Sequence, residues 1–95
     1  MIFLVTLIES DLKNSHIRCP GYFNSLNLAQ EVILNNESDI HEESYQYAVI
    51  EIIEQGLYQP ANRIWYYWKN NKYVLMNKED IPKWSFKVHG SFVIN

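Results

Sequence analysis

A chain of 95 residues, 47% hydrophobic and 20% charged, is too apolar to stay disordered and too short for more than one domain. Its net charge of −3 is mild and decides little, whereas an isoelectric point near 5.5 argues against nucleic-acid binding. A lone cysteine, Cys19, excludes an internal disulfide and suits a reducing compartment.

In chain order, residues 2–9 (IFLVTLIE) are rich in β-formers and run into a polar cluster, Ser10 to Ser15, which predicts a strand and a turn. The opening run lacks a basic leader and a small-residue cleavage site, and it is far shorter than the ~20 residues that span a bilayer. A cytoplasmic protein with no membrane partner is the expectation. Residues 16–23 (HIRCPGYF) read as extended, with Pro20 confining them to a sheet edge. Ser25 offers an N-cap, and Leu26, Ala29, Val32 and Ile33 follow at helical spacing with Leu28 beside them. Asn35 and Asn36 suit the helix end, about three turns on. An acidic connector, ESDIHEES, follows, with Ile40 as its apolar anchor and room for one more helical turn.

Residues 45–54 (YQYAVIEIIE) form the strongest strand pattern, which Gly56 ends or bulges. After the loop QPAN, RIWYYWK and KYVLM flank Asn70-Asn71, a pair that tolerates the positive φ of a two-residue hairpin turn. Side-chain alternation then sets Trp68 near Tyr73, Tyr66 near Leu75, Tyr67 near Val74 and Trp65 near Met76. After NKEDIP, two further extended pieces, WSFKV and SFVIN, flank His89-Gly90 and predict a second hairpin. The fold class is therefore α+β. A mainly antiparallel sheet in the order ββαβ, followed by C-terminal hairpins, carries one helix on one face, all in a single domain over residues 1–95.

Both faces of such a sheet are apolar. Ile2, Leu4 and Ile8 oppose Phe3, Val5 and Leu7, and Ala48, Ile50 and Ile52 oppose Tyr47, Val49 and Ile53. One short helix covers one face. The other needs the C-terminal hairpins folded back, a second copy of the chain in a homodimer, or a different protein. Burying one aromatic removes roughly 150–250 Å² from water, and at about 25 cal/mol per Å² bare rings forgo several kcal/mol.

Charge is segregated along the chain. Between Cys19 and Asn62 there is no Lys or Arg but seven acids, Glu31, Glu37, Asp39, Glu42, Glu43, Glu51 and Glu54. From Arg63 onward, six basic residues face Glu79 and Asp80. Glu37, Asp39, Glu42 and Glu43 are candidate contacts to a basic protein surface, and Trp65 and Tyr67 candidate anchors. A competing pattern interleaves Arg63, Trp65, Tyr67, Lys69, Lys72, Tyr73, Lys83, Trp84 and Lys87, the alternation of bases and rings that holds single-stranded nucleic acid.

Catalytic constellations are poor. His16 and Cys19, three apart in an extended segment, face opposite ways and lack an orienting carboxylate. Three scattered histidines and one cysteine do not make a zinc site, and DIHEES lacks the Asp/Asn/Gly pattern of a calcium loop. Gly21, Gly56 and Gly90 are too far apart for a phosphate loop. No catalytic residue, metal or cofactor is expected. Glu51 interrupts an apolar strand face and, if buried, needs a cation, with Arg18 and Arg63 as candidates.

The strings PGYFNSLNLAQEVI, YQYAVIEIIEQGLY and IWYYWKNNKYVLMNKEDIPKW resemble a type of short protein met in bacteriophages and mobile elements. Those proteins open with a strand, start their helix with an F-S…A pattern, carry a Y-x-Y-x-V-x-E strand and end in a Trp-bearing hairpin followed by a Pro loop. Phe23, Ser25 and Ala29 match the helix start; Tyr45, Tyr47, Val49 and Glu51 the strand; Trp65, Tyr66, Trp68 and Pro82 the tail. The resemblance covers roughly residues 2–84 and rests on structural motifs. It implies a small non-catalytic binder, an accessory factor such as an inhibitor of host defence of the anti-CRISPR kind.

Overall fold

The computed structural model describes residues 1–9, 16–54 and 60–92. The turn expected at Ser10 to Ser15 and the strand end at Gly56 lie outside them. Five strands form one antiparallel sheet: β1 (Ile2–Ile8), β2 (Ile17–Phe23), β3 (Tyr47–Ile53), β4 (Pro60–Lys69) and β5 (Lys72–Leu75). Their spatial order is β2-β1-β3-β4-β5. The one α-helix among the described residues, α1 (Leu26–Leu34), lies between β2 and β3 in the chain. The α+β class and the ββαβ order are those expected from the sequence.

Local chemistry accounts for these elements. Ser25 sits in extended backbone at the head of α1, where its hydroxyl accepts from the Leu28 N–H at 3.4 Å. The Asn35 N–H closes the other end on the Glu31 carbonyl at 2.9 Å. Asn70 and Asn71 both adopt positive φ, 54° and 62°, which makes the tight turn whose twist matches the β4–β5 pair. The register is Tyr66 with Leu75, Tyr67 with Val74 and Trp68 with Tyr73, residue for residue the pairing that alternation predicts. On the opposite border of the sheet, β2 pairs with β1 through a register shift between Val5 and Leu7, and Pro20 sits within that strand. β4 starts three residues earlier than expected, because Pro60–Asn62 pair with Ile53 and Ile52 across a register shift rather than looping.

The sheet has two buried faces. On the first, Ala29 and Ile33 of α1 settle on Phe3, Val5, Leu7, Ala48, Ile50, Tyr66 and Tyr73. Full burial of an aliphatic side chain such as Ile33 is worth roughly 1.5–3 kcal/mol. On the second, Ile8, Val49 and Trp65 are covered by Phe92, with Trp84, Val88, Ile81 and Met76 packed around them. The chain itself therefore supplies the second cover.

That cover is not the hairpin expected from WSFKV and SFVIN. Lys83–Lys87 turn as a 3₁₀ helix, with the Ser85 N–H on the Pro82 carbonyl and the Val88 N–H on the Ser85 carbonyl. The segment then crosses the sheet face to Phe92, and Val93 to Asn95 lie outside the described residues. Trp84 and Phe92 reach Trp65 from a turn, whereas a paired strand would send alternate rings away from it.

Candidate functional site

Two polar constructions rise above the scaffold. The first is buried. Glu51 on β3 is fully enclosed and stands directly opposite Arg63 on β4. The Arg63 Nε donates to its carboxylate at 3.1 Å. The Thr6 hydroxyl donates at 3.3 Å, the Ser91 hydroxyl at 2.9 Å and the Phe92 N–H at 3.0 Å. The remaining guanidinium nitrogens of Arg63 donate to the Val88 carbonyl at 3.0 Å and to the Gly90 carbonyl, and the guanidinium lies 4.2 Å from the Phe92 ring centre. Both ions are thus satisfied on several sides, the condition under which a buried pair is tolerable. Arg63 is the partner; Arg18, the other candidate, pairs with Glu42 on the surface. Thr6, Ser91 and Phe92 escaped sequence reasoning. Thr6 left a signal all the same, being the only polar residue within β1 and lying on the same face as Glu51.

The second construction is exposed. Asn36, Ser38, Asp39, Glu42 and Glu43 all have positive φ, between 45° and 57°. For non-glycine residues this left-handed region costs of order 1–3 kcal/mol each and persists only where the surroundings impose it. Here they do. The Asn36 side chain accepts from the His41 N–H at 3.0 Å and donates to the Asp39 carboxylate at 3.2 Å. Asp39, Glu42 and Ser44 N–H groups bond to carbonyls three residues back. Ile40 is buried in the first-face core. The His41 ring stacks on Trp68 at 3.6 Å with planes 10° apart, and meets Tyr73 edge-on at 5.8 Å. The Tyr73 hydroxyl in turn donates to the Tyr45 carbonyl at 2.7 Å. Glu37, Asp39, Glu42 and Glu43 are all exposed on this pinned loop.

Titration behaviour follows these environments. Burial pushes the His41 imidazole below its ordinary value, with Asp39 and Glu43 pulling weakly the other way. Burial raises the Tyr73 phenol far above its usual range, so it stays a donor at every physiological pH. Burial also raises the Cys19 thiol, whose Sγ lies 3.5 Å from the Gly21 carbonyl. A thiol shifted upward is a poor nucleophile. His16 instead faces Glu9 at 3.5 Å.

The expected anchors part company. Trp65 is 4% exposed, ringed by Tyr47, Trp84 and Phe92, so it offers no contact surface; the expectation that it faces a partner is corrected. Tyr67 keeps 38% exposure, beside Val74 at 38% and Leu75 at 61%. It lines an open cleft of about 370 Å³ with Tyr47, Val74, Met76 and Asp80. Tyr67 points to the second face, whereas the acidic loop is stacked on Trp68 and Tyr73 of the first, so acids and anchor sit at one end of the β4–β5 hairpin but on opposite sides. For a single strand of nucleic acid the platforms are fewer than the sequence offers, since Trp65 and Tyr73 are both buried. Among the described residues, no three His, Cys, Asp or Glu side chains gather as a metal site, and no helix is long and apolar enough to cross a membrane. No family model, curated protein or solved structure matches the chain.

Proposed function

We propose that the protein is a small, non-catalytic protein-binding module that presents an acidic loop to a basic partner surface. The observation that carries this reading is the loop 36–43, in which five non-glycine residues are held in left-handed backbone while four carboxylates stay in solvent. Backbone strain of this kind concentrates at functional positions. A loop that only connected α1 to β3 would relax it with glycine. Pre-organised charge also lowers the ordering cost of binding and raises the on-rate toward an opposite surface. Tyr67 and Val74, on the far side of the same end of the hairpin, offer a second and separate apolar contact. The resemblance to short phage and mobile-element proteins adds a class to the proposal: an inhibitor of a host defence protein, acting in the host cytoplasm.

The test uses a partner captured on the immobilised protein, then purified and titrated against Glu37→Lys/Asp39→Lys/Glu43→Lys. Glu42 is spared because it pairs with Arg18. The expected result is a loss of about tenfold or more in affinity, with wild-type binding weakening as salt rises. Unchanged affinity in the triple variant would remove the electrostatic basis of the proposal. Salt-sensitive binding of labelled single-stranded oligonucleotides, abolished by Lys69→Glu/Lys72→Glu, would favour the nucleic-acid reading instead.

A further inference from the structure

We infer that the C-terminal segment 83–92 is a strap, latched by Glu51 and Arg63, that opens as a unit while the sheet and α1 stay folded. The inference does not depend on the protein-binding proposal.

Three features describe how the segment is held on the sheet. It belongs to no strand of the described sheet, and the Ser85 and Val88 N–H groups bond locally, to the Pro82 and Ser85 carbonyls, rather than to a strand. Most of the polar attachment seen among the described residues converges on one place. The Glu51 carboxylate takes the Ser91 hydroxyl and the Phe92 N–H, and the Arg63 guanidinium holds the Val88 and Gly90 carbonyls. Its ring contacts are edge-on: Phe92 lies 5.7 Å and Trp84 6.0 Å from Trp65, and Trp84 lies 6.3 Å from Tyr47. Phe86, in the middle, is 66% exposed and adds little to the cover.

Glu51 and Arg63 are cross-strand neighbours within the ladder, so they stay opposite one another when the strap leaves. The latch is therefore anchored in the part that remains folded. Units with few contacts, held largely through one cooperative attachment, open below the free energy of global unfolding. The open form would bare Ile8, Val49 and Trp65, an apolar face concealed at rest.

Hydrogen exchange on the full chain tests this. The Phe92 and Val88 amides should exchange at least about tenfold faster than the ladder amides of β1 and β3. Ile33→Val, in the helix-face core, should speed β1 and β3 amides roughly three- to tenfold, the range of a deleted buried methyl. It should leave Phe92 within about twofold, because the open form keeps that core. Glu51→Gln should speed Phe92 by about tenfold or more with the sheet retained by circular dichroism. If Ile33→Val speeds Phe92 as much as it speeds β1, the strap leaves only when the whole fold does, and the inference fails. It fails equally if Glu51→Gln leaves Phe92 unchanged. Should the Gln variant not fold, Ile33→Val decides alone.

Discussion

The two faces of this sheet are buried by different means. On the first, a regular helix lays Ala29 and Ile33 onto aliphatic neighbours, and the attachment is spread over the whole contact. On the second, an irregular segment lays two rings on Trp65 and brings two donors to one buried carboxylate. Dispersed apolar burial is tolerant, because each contact is small. A buried ion pair is not, because losing one member strands the other in low dielectric. The contrast teaches that a short chain whose described residues hold one α-helix can still close the second face of its sheet, here with a charge pair fixing the covering segment.

The largest effect that sharpens this contrast is expected for Arg63→Met. It strands the Glu51 carboxylate and should cost about 3–5 kcal/mol, read by urea denaturation. Combining it with Glu51→Leu should recover much of that loss, since a well-packed apolar pair often matches a buried ion pair. A double variant no more stable than Arg63→Met would mean that the ions act as more than mutual compensation. On the first face, Ile33→Ala should cost about 2–5 kcal/mol with no rescue by any polar substitution. Smaller still is Asn71→Gly in the turn shared by both faces. It relieves a left-handed asparagine, and a gain of at most about 1 kcal/mol is expected in thermal unfolding.

The smallest effect concerns pH. Because His41 titrates below 6.5 in the fold, the unfolded chain binds its proton more readily. Stability from the His41–Trp68 stack is therefore complete above pH 6.5 and declines as the pH falls from there through the lower folded value. Proton NMR of the imidazole checks the direction: a midpoint at or above 6.5 would show that the stack does not exclude water.

Much of the scaffold was legible because its signals are local. Period-two alternation and the Asn70-Asn71 pair gave the β4–β5 register, and Ser25 with its apolar spacing gave α1. Glu51 announced its own need for a cation, and Arg63 was among the two nearest answers. The second cover was illegible for a tertiary reason. WSFKV has the composition of a strand, and only the chance to bury Trp84 against Trp65 and to bring Ser91 and Phe92 to Glu51 makes it turn. The strained loop gave no warning either, since Ser38, Glu42 and Glu43 carry none of the glycine that normally marks left-handed backbone. Trp65 was misplaced for the same reason as the cover: its ring faces outward from the sheet, and Trp84 and Phe92, which enclose it, lie about twenty to thirty residues further along the chain.

Pro20 and the register shift beside it have a consequence for the fate of the molecule at high concentration. A flat sheet with two unblocked borders can seed a fibre, each copy offering a fresh template to the next. Here the β2 border is interrupted by an imino acid and a kink, so among the described residues the β4–β5 border is the one left to receive another strand. Copies that met through that border would stop at a pair, with nowhere to extend.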